Sequence, residues 1–135
     1  MFPHPSYLQE FATRYTEAWC SQEPVRVAQF FAPSGSLTIN DGSPAVGRDA
    51  IAESARSFMS AFPDLLVTFE DLRFAVDSVE YHWRLTGSNN GPGGSGRRVE
   101  IRGMEVWKFG DDGLIAESRG SFDQSDYDRQ LRPTP

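Results

Sequence analysis

Apolar positions recur every three to four residues early in the chain. Leu8, Phe11, Tyr15, Ala18 and Trp19 fall on one side of a predicted first helix, which Pro3 and Pro5 lead into. Pro24 can open a short second helix with Val25, Ala28 and Phe31 along one side, and Pro33-Ser-Gly35 breaks it. Residues 36–40, Ser36-Leu-Thr-Ile-Asn40, then read as a strand ending at the turn Asp41-Gly-Ser-Pro44. A third helix is predicted over about residues 48–62, with Ile51, Ala55, Phe58, Met59 and Phe62 on its inner stripe. Asp49 and Glu53 lie near its start, where the helix dipole favours anions, and Pro63-Asp64 stops it.

From there the period shortens to two. Strands are predicted over residues 66–75, 79–88, 97–109 and 114–122, with turns near Asp77-Ser78 and at Asp111-Asp-Gly113. In the second of these, Val79, Tyr81, Trp83 and Leu85 alternate with Glu80, His82, Arg84 and Thr86, the mark of a strand with one wet face. Helices first and strands afterwards is α+β order rather than βαβ alternation. Helices laid on one face of a curved sheet enclose a concave space of the kind that binds small molecules.

One strand breaks its own rule. In Gly103-Met-Glu-Val-Trp-Lys-Phe109 the carboxylate of Glu105 points the same way as Ile101, Trp107 and Phe109. Either the strand bulges or turns polar at Gly103 and leaves the acid at a dimer seam or in water, or the protein keeps an acid in a dry pocket. A carboxyl in the second setting resists ionisation, so its pKa should rise.

Length and composition narrow the possibilities. The chain of 135 residues is expected to be one domain, residues 1–135 with an ordered core over about 6–131, and 39% apolar content suits a globular fold. A net charge of −6 with no basic stripe beyond Arg97-Arg98 argues against a nucleic-acid partner. No apolar run approaches the length of a membrane span, and the start, MFPHPSYLQE, shows no signal-peptide pattern. The lone Cys20 fits a reducing compartment, so a cytoplasmic location is expected. His4 and His82 have no partners at ligand spacing, so no metal site is expected. The glycine-rich loop over residues 91–96 lies between strands and not before a helix, which excludes a phosphate cradle.

Several segments, taken in order, resemble one family. Gly47-Arg-Asp-Ala-Ile51, Phe62-Pro-Asp-Leu65, Gly96-Arg-Arg-Val-Glu-Ile-Arg-Gly103, Gly113-Leu-Ile115, Asp123 and Gln130-Leu131 are similar to the SnoaL-like polyketide cyclase branch of the superfamily that also holds ketosteroid isomerase and nuclear transport factor two. The resemblance implies a cone-shaped curved antiparallel or mixed sheet, with three N-terminal helices enclosing a deep pocket, and a homodimer. It implies acid/base chemistry without a cofactor: aldol closure in the cyclases, or proton abstraction beside a ketone in the isomerases. Asp123 falls where the cyclases carry their acid/base aspartate. Glu105 and Tyr15 fall where the isomerases carry the acid and tyrosine that hold the enolate oxygen. Asn40, with Asp41 one position away, falls at the isomerase base. Where the cyclases usually show Gly-Thr-His, this chain reads Gly87-Ser-Asn89.

Each candidate has a plainer alternative. Tyr15 can be a packed core tyrosine, Asp123 can cap the turn over residues 125–129, and Asn40-Asp41 is first a turn signal. The aromatic supply of Trp19, Phe58, Phe62, Trp83 and Trp107, with Asn89 at the pocket mouth, is expected to bind an apolar, ring-containing ligand. The expected function is a cofactor-independent isomerase or cyclase. The alternatives are a non-catalytic ligand-binding domain and a hydrolase of the epoxide-hydrolase type.

Overall fold

The computed structural model describes residues 3–132. Helix α1 spans Pro5–Trp19 and buries the predicted stripe, Leu8, Phe11, Tyr15, Ala18 and Trp19, together with Ala12. Proline at its start suits an N-terminal turn whose amides have no helical acceptor. Helix α2 is only Pro24–Ala28, and it turns Val27 and Ala28 inward while Val25 stands exposed, contrary to the expected face. Phe31 belongs to the next strand and not to that helix. Strand β1 runs Phe31–Ile39, five residues earlier than its apolar pattern suggested. Pro33 and Gly35 do not end an element there. They mark an irregular stretch, across which the register with the neighbouring strand shifts between Phe31 and Ser36.

A two-residue strand, β2 (Ala45–Val46), folds back on β1, and helix α3 spans Arg48–Ala61. Strands β3 (Leu66–Phe74), β4 (Val79–Ser88), β5 (Arg98–Phe109) and β6 (Ile115–Phe122) complete the sheet. Their order is β2-β1-β6-β5-β4-β3. The β3-to-β6 meander is antiparallel, but β1 lies parallel to β6, so the sheet is mixed. A fourth helix, α4 (Gln124–Leu131), occupies what the sequence pattern presented as a capped turn.

The alternation predicted for β4 holds residue for residue, with Val79, Tyr81, Trp83 and Leu85 inside. No bulge interrupts β5 at Gly103, which pairs directly with Trp83. A Cβ at that position would lie 2.5 Å from the Trp83 ring and 2.4 Å from the Ser121 carbonyl. Glycine is required there because the indole lies across the strand. The core sits between α1, α3 and the concave sheet face. There Phe11 packs edge-on against Trp107 and Phe109, with ring centres 5.5 and 5.2 Å apart.

Candidate active site

Unbroken alternation carries Glu105 to the concave face, where it is 7% exposed. Three side chains close on its carboxyl group. The Ser118 hydroxyl donates to Oε1 at 2.7 Å, the Trp107 indole donates at 3.0 Å, and the Tyr15 hydroxyl donates at 2.9 Å. The other oxygen, Oε2, has only the longer side of the Tyr15 bond, at 3.2 Å. Burial pushes the Glu105 pKa up, and the donors from Trp107, Ser118 and Tyr15 pull against it; burial wins. The Tyr15 hydroxyl is held well above its usual range, first by burial and then by the neighbouring Glu105 charge.

Glu105 forms part of the wall of a cavity lined mostly by apolar and aromatic side chains, among them Trp19, Phe58, Tyr81, Trp83 and Phe122, with Ser121 at its edge. The cavity measures about 50 Å³. No cationic side chain lines it. Tyr81 reaches inward to Thr16, with the two hydroxyl oxygens 2.5 Å apart, and Thr16 in turn donates to the Ala12 carbonyl at 2.7 Å. Thr16 has a single proton, so the Tyr81 hydroxyl is the donor of the pair.

Of the expected ligand-binding residues, Trp19, Phe58 and Trp83 line the cavity. Trp107 lies behind it, fully buried and bonded to Glu105. Phe62 is likewise buried, against Gly87 and Tyr127, and is not part of the wall. Asn89 shapes its own loop, donating to the Ala61 carbonyl and accepting from the Ser95 amide at 2.7 Å. Tyr15 sits in the layer behind Glu105 and does not line the cavity.

The remaining candidates stand at element ends. Asp123 is the exposed N-cap of α4, its carboxylate accepting the Asp126 amide at 3.0 Å. Asn40 adopts a positive φ of 51°, accepts the Phe122 amide at 2.9 Å and donates to Gln124 at 2.9 Å. It thereby fastens the end of β1 to the junction of β6 and α4. Asp41 is exposed in the turn that follows. None of these three lines the cavity.

Ser118 is the partner of Glu105 that pattern reading missed. Strict alternation from Ile115 would turn Glu117 inward and Ser118 out. An irregularity opposite Lys108 and Phe109 reverses the parity, pairing Ser118 with Trp107 on the inner face. Among the described residues, no group of His, Cys, Asp and Glu could hold a metal ion, and no helix is long and apolar enough to cross a membrane.

Residues 9–131 match the family model of the SnoaL-like polyketide cyclases, and the chain belongs to that family. Solved structures share its fold. A protein from Jannaschia sp. CCS1 assigned as a SnoaL-like polyketide cyclase superposes with a TM-score of 0.84 at 20% identity, covering 100% of this chain and 99% of that one. A protein from Catenulispora acidiphila with a ketosteroid isomerase-like fold, solved with trimethylamine, gives 0.79 at 18% identity over 98% and 100% of the two chains. The epoxide hydrolase/cyclase-like enzyme SalBIII, which acts in pyran ring formation in the polyether salinomycin, gives 0.74 at 17% identity over 87% and 92%. No curated protein matches the chain.

Proposed function

We propose that this protein is a cofactor-independent isomerase or cyclase that moves a proton beside the carbonyl of a small, neutral, ring-containing molecule, with Glu105 as the acid/base group. The observation that carries this reading is the asymmetry of the Glu105 carboxyl. Oε1 accepts from Ser118, Trp107 and Tyr15, while Oε2 takes only the longer Tyr15 contact and keeps a lone pair beside a cavity that is mostly apolar and aromatic. A carboxylate so held cannot rotate freely, and its raised pKa makes it a stronger base than a surface glutamate.

In the first step Oε2 takes a proton from the carbon next to the carbonyl. The C–H electron pair becomes the C=C bond of an enolate, and the carbonyl π pair moves to oxygen. In an isomerase, protonated Glu105 returns the proton to a different carbon. In a cyclase, the enolate carbon attacks a second carbonyl of the same molecule, and that oxygen takes the proton. Tyr15 acts here through Glu105 and not on the substrate, because its one proton already lies on the carboxyl group. This departs from the isomerase arrangement, in which tyrosine and acid both donate to the enolate oxygen.

Deuterium incorporation into cyclohexanone in D2O, followed by mass spectrometry, tests the reading. The protein should accelerate exchange over buffer, and Glu105→Gln should lower the accelerated rate by at least about 100-fold, the usual scale of acid/base catalysis. Saturable ketone binding with no exchange above buffer would leave a ligand-binding domain in place of an enzyme.

A further inference from the structure

Among the glycines of the sheet, one has no structural reason to be glycine. Gly120 lies opposite Glu105 in the β5–β6 pairing, so the two positions share the inner face. The inward row through them runs from β3 to β1 as Leu72, Tyr81, Glu105, Gly120 and Ile39. Tyr81, Glu105, Gly120 and Ile39 all line the cavity, and Gly120 alone brings no side chain to it.

The other sheet glycines are crowded. A Cβ at Gly35, Gly87 or Gly103 would come within 2.7, 3.1 or 2.4 Å of another atom. At Gly120 it would stand 3.5 Å from the Glu105 Cγ, 3.6 Å from the Thr38 carbonyl oxygen and 3.8 Å from the Met104 carbonyl oxygen, all ordinary contact distances. Gly120 does not adopt a positive φ either, whereas Gly47, Gly93, Gly96 and Gly113 do. Glycine weakens a strand interior, and one kept there without a local cause marks a place where something approaches the backbone closely. At Gly120 that place is the cavity, immediately beside the acid. With a volume of only about 50 Å³, one methyl group there matters.

We infer that Gly120 is the specificity-determining residue of the cavity: by omitting a side chain next to Glu105, it leaves the room in which the ring of a cyclic ketone lies against the carboxyl group. Its catalytic meaning rests on the proton-transfer reading of Glu105; the gap itself does not. A short acyclic ketone such as acetone needs only the place at the acid. A ring carries further carbons past the reacting one, and the missing side chain makes way for them. A larger residue at this position narrows the cavity to acyclic ketones.

Gly120→Ala separates ligand from fold. The whole chain and this variant are compared by urea unfolding, by cyclohexanone titration followed through the fluorescence of the cavity tryptophans, Trp19 and Trp83, and by deuterium incorporation into cyclohexanone and acetone in D2O. The variant should unfold at a urea concentration no lower than the wild type, because alanine suits a strand better than glycine. It should bind cyclohexanone at least about tenfold more weakly, the usual scale of one carbon atom in a hydrophobic pocket. The ratio of cyclohexanone to acetone exchange, both at subsaturating ketone, should fall by a similar factor. Four results would overturn the assignment. A variant that unfolds earlier, or does not fold, shows that the fold needs the glycine. Unchanged cyclohexanone affinity shows that the gap is not used. An unchanged exchange ratio traces the effect to Glu105 and not to ligand size. No saturable cyclohexanone binding in the wild type leaves nothing for the gap to admit. Weaker binding by the variant, with no exchange above buffer in the wild type, supports the gap and removes the proton-transfer reading. Exchange by the wild type, with equal cyclohexanone affinity in the variant, overturns the gap and leaves that reading standing.

Discussion

At the scale of single residues, the chemistry turns on how one carboxyl group is held. Glu105 is opposed by two forces: burial, which favours the neutral acid, and three donors, which favour the anion. Tyr15→Phe removes one donor and keeps the ring that packs edge-on against Trp107, with centres 5.2 Å apart. The sign of the effect follows. Tyr15 lowers the Glu105 pKa, so its loss raises it further, and a base that must be ionised to act then needs higher pH. The midpoint of the rising limb of deuterium exchange against pH should move upward in Tyr15→Phe, and stability in urea should fall by about 1.5–3 kcal/mol for the lost bond to a charged group. A midpoint that stays put would show that Tyr15 only packs.

At the scale of elements, two features position the site without touching its chemistry. Asp123 holds the first turn of α4, which buries no residue fully; Tyr127 and Leu131 pack against the core, and Gln130 makes paired bonds with the Glu100 backbone, 2.7 and 2.9 Å. Asp123→Ala should cost about 1 kcal/mol of stability and speed amide exchange within residues 124–131, while ketone exchange stays within about twofold of wild type. A collapse of ketone exchange in a folded Asp123→Ala would return the aspartate to the chemistry, where the cyclase resemblance puts it. Gly103 sets the sheet against its own side chain. An added methyl would meet the Trp83 ring and the Ser121 carbonyl, two parts of the cavity wall. Gly103→Ala should therefore destabilise the chain by about 1–3 kcal/mol, the usual cost of overpacking, and weaken ketone binding together with stability.

At the scale of the whole molecule, the sheet and helices enclose a hollow with little clear space. The cavity's own volume is about 50 Å³, a small space between aromatic walls. Ligands that bind only the folded state raise its melting temperature. Single-ring ketones should do so in proportion to the logarithm of their concentration. Fused three- and four-ring ketones should leave it unchanged, and an upward shift with a steroid-sized ketone would show that the walls open.

Much of this architecture was legible along the chain because its causes are local. Period two on β4 and β5 decides which side chains face inward, and so turns Glu105 inward; period 3.6 on α1 likewise buries Tyr15 and Trp19. What surrounds Glu105 was decided by tertiary structure. Tyr15 lies 90 residues away along the chain, and Ser118 faces it only because an irregularity in the β5–β6 pairing reverses the strand's parity. The same holds for Asn40 and Asp123, whose polar side chains suited either a base or a cap. The choice fell with the parallel pairing of β1 to β6 and the formation of α4, which brought the Phe122 and Asp126 amides within reach. A side chain's direction is set by backbone periodicity over a few residues. Its hydrogen-bond partners are set by strand register, which depends on contacts far apart in the chain.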